Sequence, residues 1–243
     1  MFSGTILLPL RIIFFVSPLL LTYSKYIAPS DFPAYETFNS AIHAEHTLDD
    51  LPLAHALYIE ALKLKPDMEE GMINLGTLLE KMGDREGAMS MFHNLLESTD
   101  DAVFKAGACN NLGHIHHKSV GSRDVLNLQK AKDYYLLALS FDETHVDSMY
   151  NLGKVLQEMG DQIGAKVAYE RVLVEKHDHH LARLNLGNYY FNVGENEKAV
   201  REYEKLTSSS TSAVQADILE MAYNNMGQVY RDADLHREAE HSF

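Results

Sequence analysis

A three-residue word that returns five times constrains this chain more than any other feature. It reads Asn74-Leu75-Gly76, Asn111-Leu112-Gly113, Asn151-Leu152-Gly153, Asn185-Leu186-Gly187 and Asn225-Met226-Gly227. A second series alternates with it: Ala54, Ala88, Ala131, Ala165, Ala199 and Ala239. Four residues after each alanine comes an aromatic, in order Tyr58, Phe92, Tyr135, Tyr169, Tyr203 and Phe243. Three further on lies an apolar side chain: Ala61, Leu95, Ala138, Val172 or Leu206. Ala54 to Ala88, Ala131 to Ala165 and Ala165 to Ala199 each span 34 residues. A fixed period of that size marks stacked copies of one small supersecondary unit.

Steps of four and three place each series on one face of a helix, so each unit reads as two helices. The word lies in the first helix and the alanine–aromatic series in the second. Glycine and alanine let the two backbones approach, and the aromatic fills the wider gap beside them. Gly83, Gly160 and Gly194 fall between the helices, where a C-terminal cap needs positive φ. Asp84, Asp161 and Glu195 follow each of them and suit the next helix N-terminus.

The pattern resembles the tetratricopeptide repeat family, which implies an all-α superhelix of helix–turn–helix units. The repeat domain runs over 35–243, in units 35–68, 69–105, 106–145, 146–179, 180–213 and an unfinished 220–243. The first unit departs from the pattern, with Ser40-Ala41-Ile42 in place of the word. Unit 106–145 carries about six extra residues in a loop around Ser119–Leu128. The last unit is expected to open its second helix near His236 and to stop unfinished. That ending suggests a longer native protein, or a partner or second copy over the end.

The resemblance implies a groove lined by the first helices, in which a peptide or helix of a partner protein binds. Asn74, Asn111, Asn151, Asn185 and Asn225 recur at one point of that helix. An amide pairs with both the N–H and the C=O of a peptide backbone. A similar ladder is found in the substrate-binding arms of O-linked N-acetylglucosamine transferases. Plain repeat consensus accounts for these asparagines equally well. Around them lie His114, Tyr150, Lys154, Asn188 and Phe191, a mixed and nearly neutral surface. Lys154 stands largely alone, so the basic carboxylate clamp of chaperone-adaptor members is missing. The implied function is a protein-interaction scaffold. The alternatives are the recognition arm of a larger enzyme, such as a glycosyltransferase, and a membrane-tethered adaptor.

Residues 1–30 stand apart, with no Asp or Glu and an apolar run from Ile12 to Leu21 behind Arg11. That run fits a signal-peptide core and is short for a span, which needs about 20 residues. Membrane anchor, signal peptide, mitochondrial presequence and artefactual or disordered leader all remain open. So therefore do cytoplasmic, membrane-associated and secretory locations. The net charge of −14 offers no basic stripe for nucleic acid. Cys109 is the single cysteine and reads as a small buried hydrophobe. His114, His116 and His117 share a helix but lack the companions of a zinc site. His177, His179 and His180 read as a solvated turn. No catalytic word is present, so the chain is expected not to be an enzyme, with no cofactor, metal or small-molecule substrate.

Overall fold

Between the turn glycines the chain is helical, and the helices come in pairs. The computed structural model describes residues 28–118, 125–207 and 216–240, the last with side chains through Asp232. The apolar leader up to Ile27 and the stretch Ser119–Asp124 lie outside the described residues, as does Phe243. The described elements are all α apart from one 3-10 turn at Pro29–Asp31.

Two compact units divide at Pro66. The first holds helices α1 (Phe32–His46) and α2 (Leu51–Leu64). Ala54, Tyr58 and Ala61 are fully buried along one face of α2. The Tyr58 ring meets Phe38 of α1 at 5.8 Å, and its hydroxyl donates to Glu45 Oε2 at 3.1 Å. Lys65 closes the hairpin base with a 2.8 Å ion pair to Asp31.

The second unit is a solenoid of nine helices among the described residues. They are α3 (Glu69–Met82), α4 (Arg85–Ser98), α5 (Ala102–Lys118), α6 (Val125–Phe141), α7 (Val146–Glu158), α8 (Gln162–Glu175), α9 (His180–Asn192), α10 (Asn196–Thr207) and α11 (Ala216–Glu240). The odd-numbered helices carry the asparagine word and the even-numbered ones the alanine–aromatic series. Gly83, Gly160 and Gly194 adopt φ of 90°, 86° and 78°, so each ends its helix in the left-handed region open to glycine. Asp84 and Asp161 then cap the next helix, accepting from Gly87 N at 2.9 Å and Gly164 N at 2.8 Å.

The aromatic does more than fill a gap beside the glycine: it lies on the glycine itself. A Cβ built on Gly76, Gly113, Gly153 or Gly187 would stand 2.5–2.7 Å from the ring of Phe92, Tyr135, Tyr169 or Tyr203. Each ring is buried, as is the alanine four residues before it. The word and the aromatic are thus two halves of one contact, and that contact sets the distance between paired helices.

Three expectations need correction. Helix α6 starts at Val125, so Val125–Leu128 are helical rather than loop. His179 is not a solvated turn residue: it caps α9, with Nδ1 accepting from Ala182 N at 3.1 Å. No second helix opens near His236, because α11 runs unbroken to Glu240. The reason is a missing stop. Where the units of Asn74, Asn151 and Asn185 place a glycine nine residues after the asparagine, this one has Asp234.

Candidate functional site

The ladder asparagines sit on α3, α5, α7, α9 and α11, all half-buried. Their surroundings differ. Asn151 Nδ2 donates to Asn110 Oδ1 of the preceding first helix at 3.1 Å, and Ser148 Oγ shares that acceptor at 3.3 Å. Asn185 bonds to the hydroxyls of Tyr150 and Tyr169. Asn225 Nδ2 donates to Asn188 Oδ1 at 2.7 Å, which also accepts the Tyr203 hydroxyl at 2.7 Å. These three amides join successive units. Asn74 and Asn111 make no side-chain hydrogen bond among the described residues.

The neighbouring positions are also committed. Tyr150 packs its ring on His179 at 4.8 Å and on Tyr169 at 6.0 Å. Lys154 Nζ lies 5.9 Å above the Tyr150 ring. Phe191 is half-buried against the cluster of Leu184, Ala199, Tyr203 and Leu206. His114 Nδ1 pairs with Glu80 at 3.1 Å, and Lys118 approaches the same carboxylate at 3.7 Å. His117 Nε2 meets Glu158 at 2.9 Å. Glu80 and Glu158 are thus each held by partners from a neighbouring unit. Sequence reasoning left out Glu80 and Glu158 as partners of these histidines. Their positions on adjacent first helices were the available signal.

Those histidine pairings orphan one hydroxyl. Tyr169 donates to Gln157, six residues after its ladder asparagine, at 2.9 Å. Tyr203 uses Asn188, three residues after its own. The matching positions on α5 are His117 and His114, both drawn sideways to Glu158 and Glu80. Tyr135 Oη is left as the one buried side-chain polar atom without a partner among the described residues. Burial, with Glu80 and Glu158 nearby, pushes its hydroxyl far above the ordinary tyrosine range. Burial likewise lifts Tyr203 to about 12, so this hydroxyl stays neutral. Burial also raises the Cys109 thiol to about 11, which suits a packing role rather than a reactive one.

Among the described residues, no group of three His, Cys, Asp or Glu side chains could hold a metal ion. No described helix is long and apolar enough to cross a membrane. The face offers two adjacent amides, Asn74 and Asn111, without side-chain partners among the described residues, and the half-buried rings of Tyr150 and Phe191.

Tetratricopeptide repeat models match residues 72–102 and, separately, 146–173 and 181–211. A comparison with curated protein sequences finds no significant match. Among solved structures, pilF of Pseudomonas aeruginosa aligns with a TM-score of 0.64 at 17% identity, covering 83% of this chain and 88% of that one. PilW, a type IV pilus biogenesis factor, gives 0.63 at 19% identity over 87% of this chain and 94% of its own. YrrB, described as a TPR protein with an unusual peptide-binding site, gives 0.52 at 17% identity over 86% and 97%. Those likenesses speak for the fold. Together with the three repeat matches and the glycine–aromatic hairpins, they establish that this chain carries tetratricopeptide repeats.

Proposed function

We propose that the chain is a scaffold that holds an extended segment of a partner protein along the first-helix face of its second unit, with the grip centred on Asn74 and Asn111. As a tetratricopeptide-repeat chain it is a protein-interaction scaffold in the general sense. The narrower reading rests on one observation. These two amides occupy equivalent points on neighbouring first helices, α3 and α5, and neither makes a hydrogen bond among the described residues. Adjacent helices lie about 8–10 Å apart, and an extended chain advances about 3.3 Å per residue. Two such amides therefore meet every third peptide group, each able to accept one N–H and donate to one C=O. Asn151, Asn185 and Asn225 are spent between units and contribute stiffness instead. The near-neutral field favours a segment without a strong charge, and Thr77 offers an exposed hydroxyl beside Asn74.

The test uses a random peptide library displayed on phage and selected against the full chain. Selected peptides should lose about tenfold in affinity when Asn74 and Asn111 are both changed to Ala, since each lost bond is worth about 1 kcal/mol. The same peptides should bind normally when Lys154 is changed to Met. Peptides indifferent to the double change, with helicity intact, refute the assignment.

A further inference from the structure

Gly107 lies inside α5, where a glycine costs about 1 kcal/mol against alanine. Four of the ladder-word glycines each lie under an aromatic ring, and Gly87 and Gly164 each lie against the carboxylate that caps their helix. The turn glycines take positive φ. None of these reasons holds for Gly107. A Cβ built on it would meet one described atom within 4 Å, Cδ1 of Ile73 at 3.2 Å, the far end of a flexible side chain. Among the described residues, nothing in the packing of the solenoid requires a glycine at this point.

Its place in the groove supplies a reason. On α3, α7 and α9 the same point, four residues before the ladder asparagine, holds Glu70, Asp147 and Leu181, all exposed. Helix α5 leaves that point bare, and α5 also carries Asn111, one of the two amides without a side-chain partner. At 100° per residue, Val103, Gly107, Asn111 and His114 fall within about 80° of one another. The gap therefore opens onto the face of the Asn111 amide, and a missing side chain lets a bound segment come close to the helix. The sides of the gap are apolar. Ile73 of α3 stands against it, and Val103, one turn before Gly107, is 62% exposed. Glu70, the equivalent residue on α3, adds negative charge on the neighbouring helix and disfavours an acidic occupant. We infer that Gly107 floors a slot for one large apolar side chain of the segment held by Asn74 and Asn111, and so selects which segments bind. The slot rests on the grip proposed above and adds a specificity-determining residue to it.

The peptides selected from the phage library against the full chain test this. Gly107→Leu should keep or raise helicity and Tm, because leucine is the better helix former and only the end of the Ile73 side chain must move. It should nevertheless weaken the selected peptides about tenfold. Large apolar residues of each peptide are then changed to Ala one at a time. One of them should cost about tenfold against the wild type and almost nothing against Gly107→Leu, since the two changes remove the same contact. Val103→Glu is a second variant, at an exposed first-turn position that suits an acid, and should weaken the same peptides about fivefold. Peptides that bind Gly107→Leu and Val103→Glu as they bind the wild type, yet lose affinity when Asn74 and Asn111 are changed, overturn the slot and leave the grip standing. Weakening by Gly107→Leu with no coupled apolar residue in the peptide also overturns it, because the leucine would then merely block the groove. Peptides indifferent to the change at Asn74 and Asn111 overturn the grip and the slot together.

Discussion

The same substitution in two copies of one word should have opposite signs. In Gly187→Ala, the new Cβ would stand 2.5 Å from Cε1, 2.9 Å from Cδ1 and 3.0 Å from Cζ of Tyr203. Carbon atoms pack best at about 3.5–4.0 Å, so the ring or the helix must retreat by about 1 Å. The ring has nowhere to go: Tyr203 is fully buried, and Asn188 holds its hydroxyl at 2.7 Å. Overpacking of this kind costs about 1–3 kcal/mol. Alanine's better helix propensity offsets about 1 kcal/mol of that, for a net loss of up to about 2 kcal/mol. In Gly227→Ala nothing is struck, and only the propensity gain of up to about 1 kcal/mol remains. Urea unfolding reads both as midpoint shifts at constant slope. Hydrogen exchange on the α9 and α10 amides should place the first loss in that hairpin. A Gly187→Ala protein stabilised as much as the Gly227→Ala one would refute the claim that the ring on the glycine sets the helix spacing.

Tyr135→Phe should be neutral or stabilising by about 1 kcal/mol, because it removes a buried hydroxyl that has no partner. Tyr169→Phe should instead cost about 1 kcal/mol through the lost bond to Gln157, and thermal melts of the two variants give the comparison. Acid should weaken the protein through His179 and His116, since burial holds both below the ordinary histidine value of 6.5. The unfolded chain then takes up the proton first. Stability is whole above about pH 6.5 and is lost as the pH falls through that value toward the lower folded one. Asn caps a helix without titrating, so His179→Asn should flatten the fall in Tm between about pH 7 and 5; an unaltered slope counts against the cap.

What could be read from the residues was whatever a fixed offset encodes. The alanine–aromatic spacing gave the second helices, and Gly83, Gly160 and Gly194 gave the turns, since only a helix stop needs positive φ at those points. Asp234 in the place of a fourth glycine carried the same kind of information and was passed over in favour of a helix break near His236. The cap at His179 was legible too. His145 and His179 each lie six residues before a ladder asparagine, and each accepts from the backbone N–H three residues on. The fate of the amides could not be read from one unit alone, because it depends on residues about forty positions away that become neighbours only when units stack.

That dependence has its own rule. Asn151 donates to Asn110, and Asn185 bonds Tyr150. In both cases the partner is the residue just before the preceding ladder asparagine. The corresponding residue for Asn111 is Ile73, which has no polar atom to offer and packs within the apolar cluster around Phe92. For Asn225 it is Leu184, and there the amide reaches one turn further, to Asn188. The equivalent turn on α3 presents Thr77, whose hydroxyl already donates to the Ile73 carbonyl. Whether a ladder asparagine stitches the solenoid is thus decided by two positions in the unit before it, the residue just before the preceding ladder asparagine and the one three after it. On this rule Ile73, which has no polar side-chain atom, and Thr77, whose hydroxyl is turned to its own helix, together leave the Asn111 amide without a partner in the unit before it among the described residues.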